Sequence, residues 1–117
     1  MVYPVPTIIA EKFETIISRG ATNGRARDFY DISLLFRLYG EEVSWTEVHE
    51  AVDSTAEKRG SSALMSDYLL ILKSIRESNY MRNMIWNNYA ADNPYAASIS
   101  FDDTINATVE IGKRMKL

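Results

Sequence analysis

Lys12 and Asp28 are charged residues at positions where a helix would normally place an apolar side chain. At 100° per residue, Lys12 falls between Ile8 and Ile16 on the apolar stripe of one predicted helix. Asp28 falls beside Ile32 on the apolar stripe of the next predicted helix. A charge on a core-facing stripe costs free energy unless it is paired with another charge or lines a cavity. The two residues therefore predict either a partly buried ion pair or a polar site.

Three more charged residues lie close to Asp28, and two interpretations of the group remain open. Arg25 shares the face of Asp28, and Asp31 lies at its edge. In the structural interpretation, Lys12 and Asp28 form an ion pair that ties the two helices together, with the lysine ammonium reaching toward solvent. In the functional interpretation, Lys12, Arg25 and Arg27 bind an anion, while Asp28 and Asp31 orient a group or hold a metal. Arginines in a first helical turn oppose the helix dipole, but they suit a phosphate that also meets the free backbone N–H groups.

The elements that must position these residues are all predicted to be helices. Apolar residues recur at helical spacing between turn-forming segments, and no stretch alternates long enough to predict a strand. On the first helix, Glu11, Glu14 and Thr15 fall outside the apolar stripe. Ser44 to Glu47 and Ser100 to Asp103 have the pattern of capping boxes. The segment from Pro4 to Arg19 is predicted to be a short extended lead and then a helix. Further helices are predicted from Arg25 to Tyr39 and from after Ser44 to Arg59, followed by helices that begin at Ser66, at Asn79 and after Ser100.

The sequence therefore predicts an all-α fold, a single domain over residues 1–117 built from five or six packed helices. The short loop from Gly20 to Gly24 makes the first two helices antiparallel neighbours. We expect Lys12 and Asp28 to lie within reach of one another at the mouth of a cleft between these helices. The predicted core includes Phe13, Ile16, Leu35, Phe36 and Val52.

Composition excludes several classes of protein. A chain of 117 residues, 46% of them hydrophobic, has room for one domain with a real core. It has no cysteine, so disulfides and thiolate metal sites are excluded. No apolar run approaches the ~20 residues needed to span a bilayer, and no signal peptide is visible, so we expect a cytoplasmic protein without a membrane partner. The net charge of −3 disfavours a protein that grips nucleic acid across its whole surface.

Other candidate residues have simpler explanations than a functional site. His49, the single histidine, falls at an apolar edge and is predicted to be a satisfied boundary residue. Asp102 and Asp103 suit the first turn of a helix. Trp86 and Tyr89 are predicted to pack in the core rather than to form a contact patch. The remaining basic residues are predicted to be solvated rather than to form a nucleic-acid track, namely Lys58, Lys73, Arg76 and Arg82.

The segments around Lys12 and Asp28 resemble a known family. Thr7 to Phe13 reads Thr-Ile-Ile-Ala-Glu-Lys-Phe, and Asn23 to Asp31 reads Asn-Gly-Arg-Ala-Arg-Asp-Phe-Tyr-Asp. Together they are similar to the two C-terminal motifs of the AbiEii/AbiGii nucleotidyltransferase-like toxins, an Ala-Glu-Lys helix and an Arg-x-Lys-Asp-x-x-Asp helix. The later segments 84–89, Tyr95 and 98–101 also resemble the tail of that family.

The resemblance implies a toxin–antitoxin or abortive-infection role in phage resistance. It implies Mg²⁺ and a nucleoside triphosphate as cofactor and substrate, an antitoxin as partner, and transfer RNA as the acceptor in some members. By the same resemblance, Asp28 and Lys12 are the catalytic residues, and Lys12, Arg25 and Arg27 bind the nucleotide. Glu11 and Asp31 support them, and no residue is assigned to a metal. Arg27 stands where the family often has lysine, which keeps the charge and changes the geometry.

The metal-binding motif of the resembled family has no clear counterpart in the sequence. That motif is a Gly-Ser turn followed by two aspartates in the N-terminal half. Gly60 and Ser61 with Asp67 are the only candidate, and Leu69 occupies the place of the second acid in a helical pattern, so we reject it. We expect the chain to be the C-terminal helical part of such a toxin, inactive without an N-terminal metal-binding lobe. The alternative is a non-enzymatic helical module that binds an antitoxin or another protein.

Overall fold

Helices form the whole framework of the computed structural model, which describes residues 4–117. The all-α class is confirmed, and no strand occurs in this range. Five α-helices have nine residues or more, and two are shorter. The elements are α1 (Val5–Arg19), α2 (Ala26–Tyr39), α3 (Trp45–Arg59), α4 (Ser62–Met65), α5 (Tyr68–Arg76), a π-helical segment (Tyr80–Trp86), α6 (Asn87–Asp92) and α7 (Phe101–Arg114).

Side-chain caps explain where two of the long helices begin. The Ser44 hydroxyl accepts a hydrogen bond from the Glu47 backbone N–H at 3.3 Å, which caps α3. At α7 the reciprocal capping box is complete, because Ser100 and Asp103 each accept the other's backbone N–H at 3.0 Å. Gly60 ends α3 in the left-handed conformation, with φ of 73°, as expected for a residue without a Cβ atom. Both predicted helix starts are thereby confirmed.

The middle of the chain departs from the predicted caps. Ser66 does not cap a helix: its hydroxyl donates to the Ala63 carbonyl at 3.3 Å, and α5 begins at Tyr68. The helix predicted from Asn79 does exist, but its first part is the wider π-helix, which then continues into α6. Met81 and Trp86 in this segment are both buried. Tyr80 and Met84, in contrast, are exposed.

The core surrounds α1, which is covered on several sides. Phe13, Ile16 and Val52 are fully buried, as predicted, together with Ile9 and Ile17. α2 and α3 pack against α1, and α7 packs against α2 and α5. The core is completed by further buried side chains, among them Phe29, Ile32, Leu72, Ile75, Ile105 and Ile111.

Leu35 and Phe36 are a correction to the predicted core. Both are only partly buried, because the C-terminal half of α2 lies at the edge of the domain rather than across its centre. The Phe36 ring packs near Trp45, and the Arg114 guanidinium lies 5.0 Å from its centroid. A cation over an aromatic face is stabilising where water is partly excluded. These positions therefore form a half-exposed boundary layer.

Candidate functional site

Lys12 lies between two carboxylates of the neighbouring helix. Its Nζ is 3.3 Å from Asp28 Oδ1 and 3.0 Å from Asp31 Oδ2. The two aspartates are three residues apart on α2, so they lie one turn apart on the face toward α1. Ile8 borders Leu35 while Lys12 borders Asp28, which makes α1 and α2 antiparallel neighbours. The predicted contact between the two interrupted stripes is confirmed.

Asp28 is a buried carboxylate whose hydrogen-bonding capacity is only half used. Its side chain is 2% exposed, while that of Lys12 is 26% exposed. Asp28 Oδ2 has no hydrogen-bond partner, and the nearest cation, Arg25 Nε, is 3.7 Å away. An unpartnered buried oxygen is costly, and native proteins keep few of them. A carboxylate at this position therefore costs folding free energy, so stability does not explain its presence.

A cleft of about 440 Å³ opens beside Asp28 and Lys12. α1 forms its floor, the start of α2 forms one wall, and the end of α3 with Ser61 forms the other. Its size falls within the range typical of small-molecule sites, ~300–1,000 Å³. Four basic and three acidic residues line it: Lys12, Arg19, Arg25 and Arg59, with Glu11, Glu14 and Asp28. The cleft therefore has a positive balance of charge and suits an anion.

The site residues predicted from the sequence fall into two groups in space. Lys12, Asp28, Arg25 and Glu11 line the cleft together. Asp31 lies on the other side of the Lys12 ammonium, in a separate groove that also contains Leu34 and Leu35. Arg27 does not line the cleft: its largely exposed side chain pairs with Asp31, with Nε 3.6 Å from Oδ2. The structure thus brings only the first group together at the cleft.

Glu14 is the feature that the sequence pattern missed. It falls outside the apolar stripe of α1, yet it is 1% exposed, because the end of α3 and the following turn cover it. Arg59 Nη1 donates to Glu14 Oε1 at 2.6 Å, and the Ser61 hydroxyl donates to Oε2 at 2.7 Å. Arg59 Nη1 also donates to the Thr15 hydroxyl at 3.2 Å. No local signal in the sequence marks these partners, which are more than 40 residues apart.

A second charged cluster joins α5, the π-helical segment and α7. Arg82 forms two hydrogen bonds with the Asp102 carboxylate, at 2.9 and 3.1 Å, and Arg76 Nη1 lies 3.1 Å from the same carboxylate. The hydrogen bond from Arg82 is the main cause that lowers the pKa of Asp102 below its ordinary value. The prediction that Arg76 and Arg82 are merely solvated is therefore wrong. The cluster holds three segments together and lies outside the cleft.

The remaining candidates behave as structural residues. The His49 Nδ1 is hydrogen-bonded to the Met115 carbonyl, and its Nε2 is 3.4 Å from Asp53, so the predicted boundary histidine is confirmed. Trp86 is buried as predicted. Tyr89 is partly buried and exchanges a 2.8 Å hydrogen bond with the Tyr95 hydroxyl. Burial is the main cause that raises the pKa of Tyr89 far above its ordinary value.

The described residues, 4–117, contain neither a carboxylate or histidine cluster for a metal ion nor a helix that could cross a membrane. Within that range, no three histidine, aspartate, glutamate or cysteine side chains are grouped closely enough to hold a metal ion. The carboxylates of the cleft do not form such a group, and Asp28 is already paired with Lys12. No helix in the described part of the chain is long and apolar enough to cross a membrane.

Comparison with known proteins assigns the chain to a family of toxins. Residues 1–107 match the family model described as AbiEii, the nucleotidyl transferase toxin of type IV toxin–antitoxin systems. The chain belongs to this AbiEii family. A toxin of such a system implies an antitoxin as partner, and a nucleotidyl transferase implies the use of a nucleotide and a metal ion. No curated protein and no solved structure matches the chain.

Proposed function

We propose that this chain is the nucleotide-contacting helical part of an AbiEii-type nucleotidyltransferase toxin. The proposed site is centred on Lys12 and Asp28. Lys12 and Arg25 bind the triphosphate in the cleft, and Arg27 contacts the nucleotide from outside it. Asp28 is the essential acid of the site. Glu11 at the cleft and Asp31 behind the Lys12 ammonium support them.

The observation that carries the proposal is the position of the Lys12 ammonium. An ammonium has three N–H donors; Asp28 accepts one of them, and Asp31 forms an ion pair with the ammonium at 3.0 Å. A donor therefore remains for an anion, and the side chain reaches the cleft with a quarter of its surface exposed. Two carboxylates hold the ammonium in place before the ligand arrives, which reduces the entropy lost on binding. A phosphate oxygen is the anion that the proposed function supplies.

Asp28 has two roles in this proposal. Its negative charge pairs with the Lys12 ammonium and fixes the direction of that group. Its buried Oδ2, 3.7 Å from Arg25 Nε, holds the charge of that guanidinium near the cleft. Arg25, at the start of α2, adds a planar donor that matches phosphate oxygens. Charge on the phosphates is thereby neutralised from the α2 wall of the cleft.

Metal-dependent chemistry requires residues beyond these. When bound, Mg²⁺ would neutralise charge that develops on the transferring phosphate. We propose that its carboxylate ligands belong to a second lobe, outside this chain, and that the chain alone transfers no nucleotide. The acceptor in this proposal is transfer RNA, and the site of action is the cytoplasm, where triphosphates and transfer RNA occur. Modification of transfer RNA would then arrest growth of the cell, and that arrest would serve phage resistance.

The proposal is tested by titrating the 117-residue chain with ATP while backbone amide resonances are recorded. We expect shifts concentrated on α1 and on the first turn of α2, and their loss in Lys12→Met. Lys58→Met is the matched control, because Lys58 is an exposed lysine outside the cleft. Shifts that persist in Lys12→Met, or no shifts at all, would refute the proposal. When the chain is joined to a metal-binding lobe, the same substitution should abolish toxicity in a growth assay.

The alternative function is a non-enzymatic module that binds the antitoxin. Leu69 and Leu70 favour it, because both are exposed and adjacent on α5. A pair of exposed leucines is typical of a protein contact rather than of a nucleotide site. Leu70→Glu should then prevent co-purification with the antitoxin and leave ATP-dependent shifts unchanged. Retained co-purification would count against this surface.

A further inference from the structure

Glu14 is a buried carboxylate on the floor of an anion-binding cleft, where a negative charge needs an explanation. Both of its oxygens are used, one by Arg59 and one by Ser61. The residue is 1% exposed, so a ligand does not reach it directly. Its effect on the cleft therefore acts through the residue that it holds.

Arg59, the last residue of α3, is the residue held by Glu14. Its hydrogen bonds within residues 4–117 all use Nη1, which contacts Glu14 and Thr15. A guanidinium has five N–H donors, so the donors on Nε and Nη2 remain for another partner. The side chain is 48% exposed and lines the same cleft as Lys12. Half of the side chain is therefore accessible at the cleft while Nη1 is held by Glu14 and Thr15.

We propose that Arg59 is a further phosphate-binding residue, positioned by Glu14 and Ser61, which contacts the triphosphate from the wall opposite Arg25. This inference rests on the proposed function, because it takes the cleft to be the nucleotide site. The triphosphate lies between the end of α3 and the start of α2. Arg59 donates to its oxygens with the N–H groups that Glu14 leaves free, and it contributes binding rather than chemistry.

The change in anion affinity on removing Glu14 has opposite signs for a positioning role and for a simple effect of its charge. By charge alone, removing a carboxylate from an anion site strengthens anion binding. If Glu14 positions Arg59, its removal releases the guanidinium into solvent, and anion binding weakens. Glu14→Met tests this, because methionine has a similar length and shape and no charge. We expect the fold to survive the removal of both charges, since apolar replacement of a buried ion pair is often neutral.

The experiment measures the affinity of the 117-residue chain for inorganic triphosphate by titration calorimetry. We expect Arg59→Met to weaken binding about tenfold, the effect of losing one charged hydrogen bond. Glu14→Met should also weaken it, and Glu14→Met with Arg59→Met should be no weaker than Arg59→Met alone. Lys58→Met, which removes the same charge from the preceding residue, should bind as the wild type does. Thermal melts establish that each variant is folded, and the double variant stays informative if Arg59→Met alone unfolds.

Each other outcome overturns one claim. Unchanged binding in Arg59→Met, or equal or tighter binding in Glu14→Met, refutes the role of Arg59. If Lys12→Met still loses binding in that case, the proposed function survives without it. If Lys12→Met binds triphosphate as the wild type does, the proposed nucleotide site itself fails. The same titration is repeated with an oligoribonucleotide that lacks a 5′ phosphate. If Arg59→Met weakens binding of the oligoribonucleotide and not of triphosphate, Arg59 belongs to the acceptor site and the inference is refuted.

Discussion

Removing the charge of Lys12 should destabilise the fold far more than removing the charge of Asp28. Lys12→Met leaves a carboxylate that is 2% exposed, without its hydrogen-bonding partner. Breaking a buried pair in this way typically costs 3–5 kcal/mol. Arg25 remains 3.7 Å away, and Lys12 itself is partly exposed, so we expect the lower end, ~3 kcal/mol. For a domain of this size that corresponds to a Tm lower by roughly 12 °C.

Asp28→Leu should be much milder, because the lysine left behind is not trapped. Its ammonium keeps Asp31 at 3.0 Å and has access to solvent. A partly exposed pair of this kind contributes ~1 kcal/mol or less. The double variant Lys12→Met with Asp28→Leu removes both charges, so most of the ~3 kcal/mol lost in Lys12→Met should return. The wild type and the double variant should therefore be the most stable. Asp28→Leu should be less stable, and Lys12→Met should be the least stable.

Urea unfolding followed by circular dichroism at the helical band measures these free energies directly. Glu57→Gln is a suitable control, because Glu57 is exposed and lies outside the cleft. Equal losses of stability in Lys12→Met and Asp28→Leu, or a double variant as unstable as Lys12→Met, would contradict the claim that Asp28 is the trapped charge of the pair. Equal losses would mean that Asp28 is solvated or that the lysine is the trapped charge.

Three further predictions concern activity, packing and pH. Labelled nucleoside triphosphates with Mg²⁺ and RNA should give no covalent product with this chain, and labelling that Asp28→Ala abolishes would contradict this. Ile16→Ala should cost ~4 kcal/mol and Leu35→Ala ~2 kcal/mol in urea unfolding, because only Ile16 is fully buried; equal costs would contradict the boundary position of Leu35. Since the folded pKa of Asp102 lies below its ordinary value of 3.8, its stabilising effect is present above that value and is lost as the pH falls through the folded pKa. Asp102→Asn should therefore lower Tm at neutral pH and lose this effect in strong acid, and a gap in Tm that is independent of pH would count against the arginine cluster.

Local patterns in the sequence were sufficient to predict the Lys12 contact. The periodicity of α1 and α2 gives the direction of each side chain, and a short loop limits how the two helices pair. The caps at Ser44 and Ser100 are equally local, because the partners lie three residues apart. Asp31 was predicted at the edge of its stripe, and that edge position is what lets it share the ammonium with Asp28.

The other half of the cleft depends on tertiary packing that periodicity does not describe. Glu14 lies outside the apolar stripe, and it is buried only because the end of α3 covers it. Its partner Arg59 is 45 residues away, and nothing in the intervening chain signals the contact. The same limit explains Arg76, whose partner Asp102 belongs to a helix 26 residues later. Buried charge pairs between distant segments require the fold to be known first.

The π-helical segment has a consequence for how this chain tolerates changes in length. In an α-helix, Met81 and Trp86 would lie about 140° apart around the axis, since five residues turn it through about 500°. The wider turn, with hydrogen bonds five residues apart, aligns both side chains with the core, where they are buried. Deleting one exposed residue between them, such as Met84, would leave an α-helical spacing of four that keeps the same alignment. A length change that would rotate α6 out of register with its neighbours can thus be absorbed here.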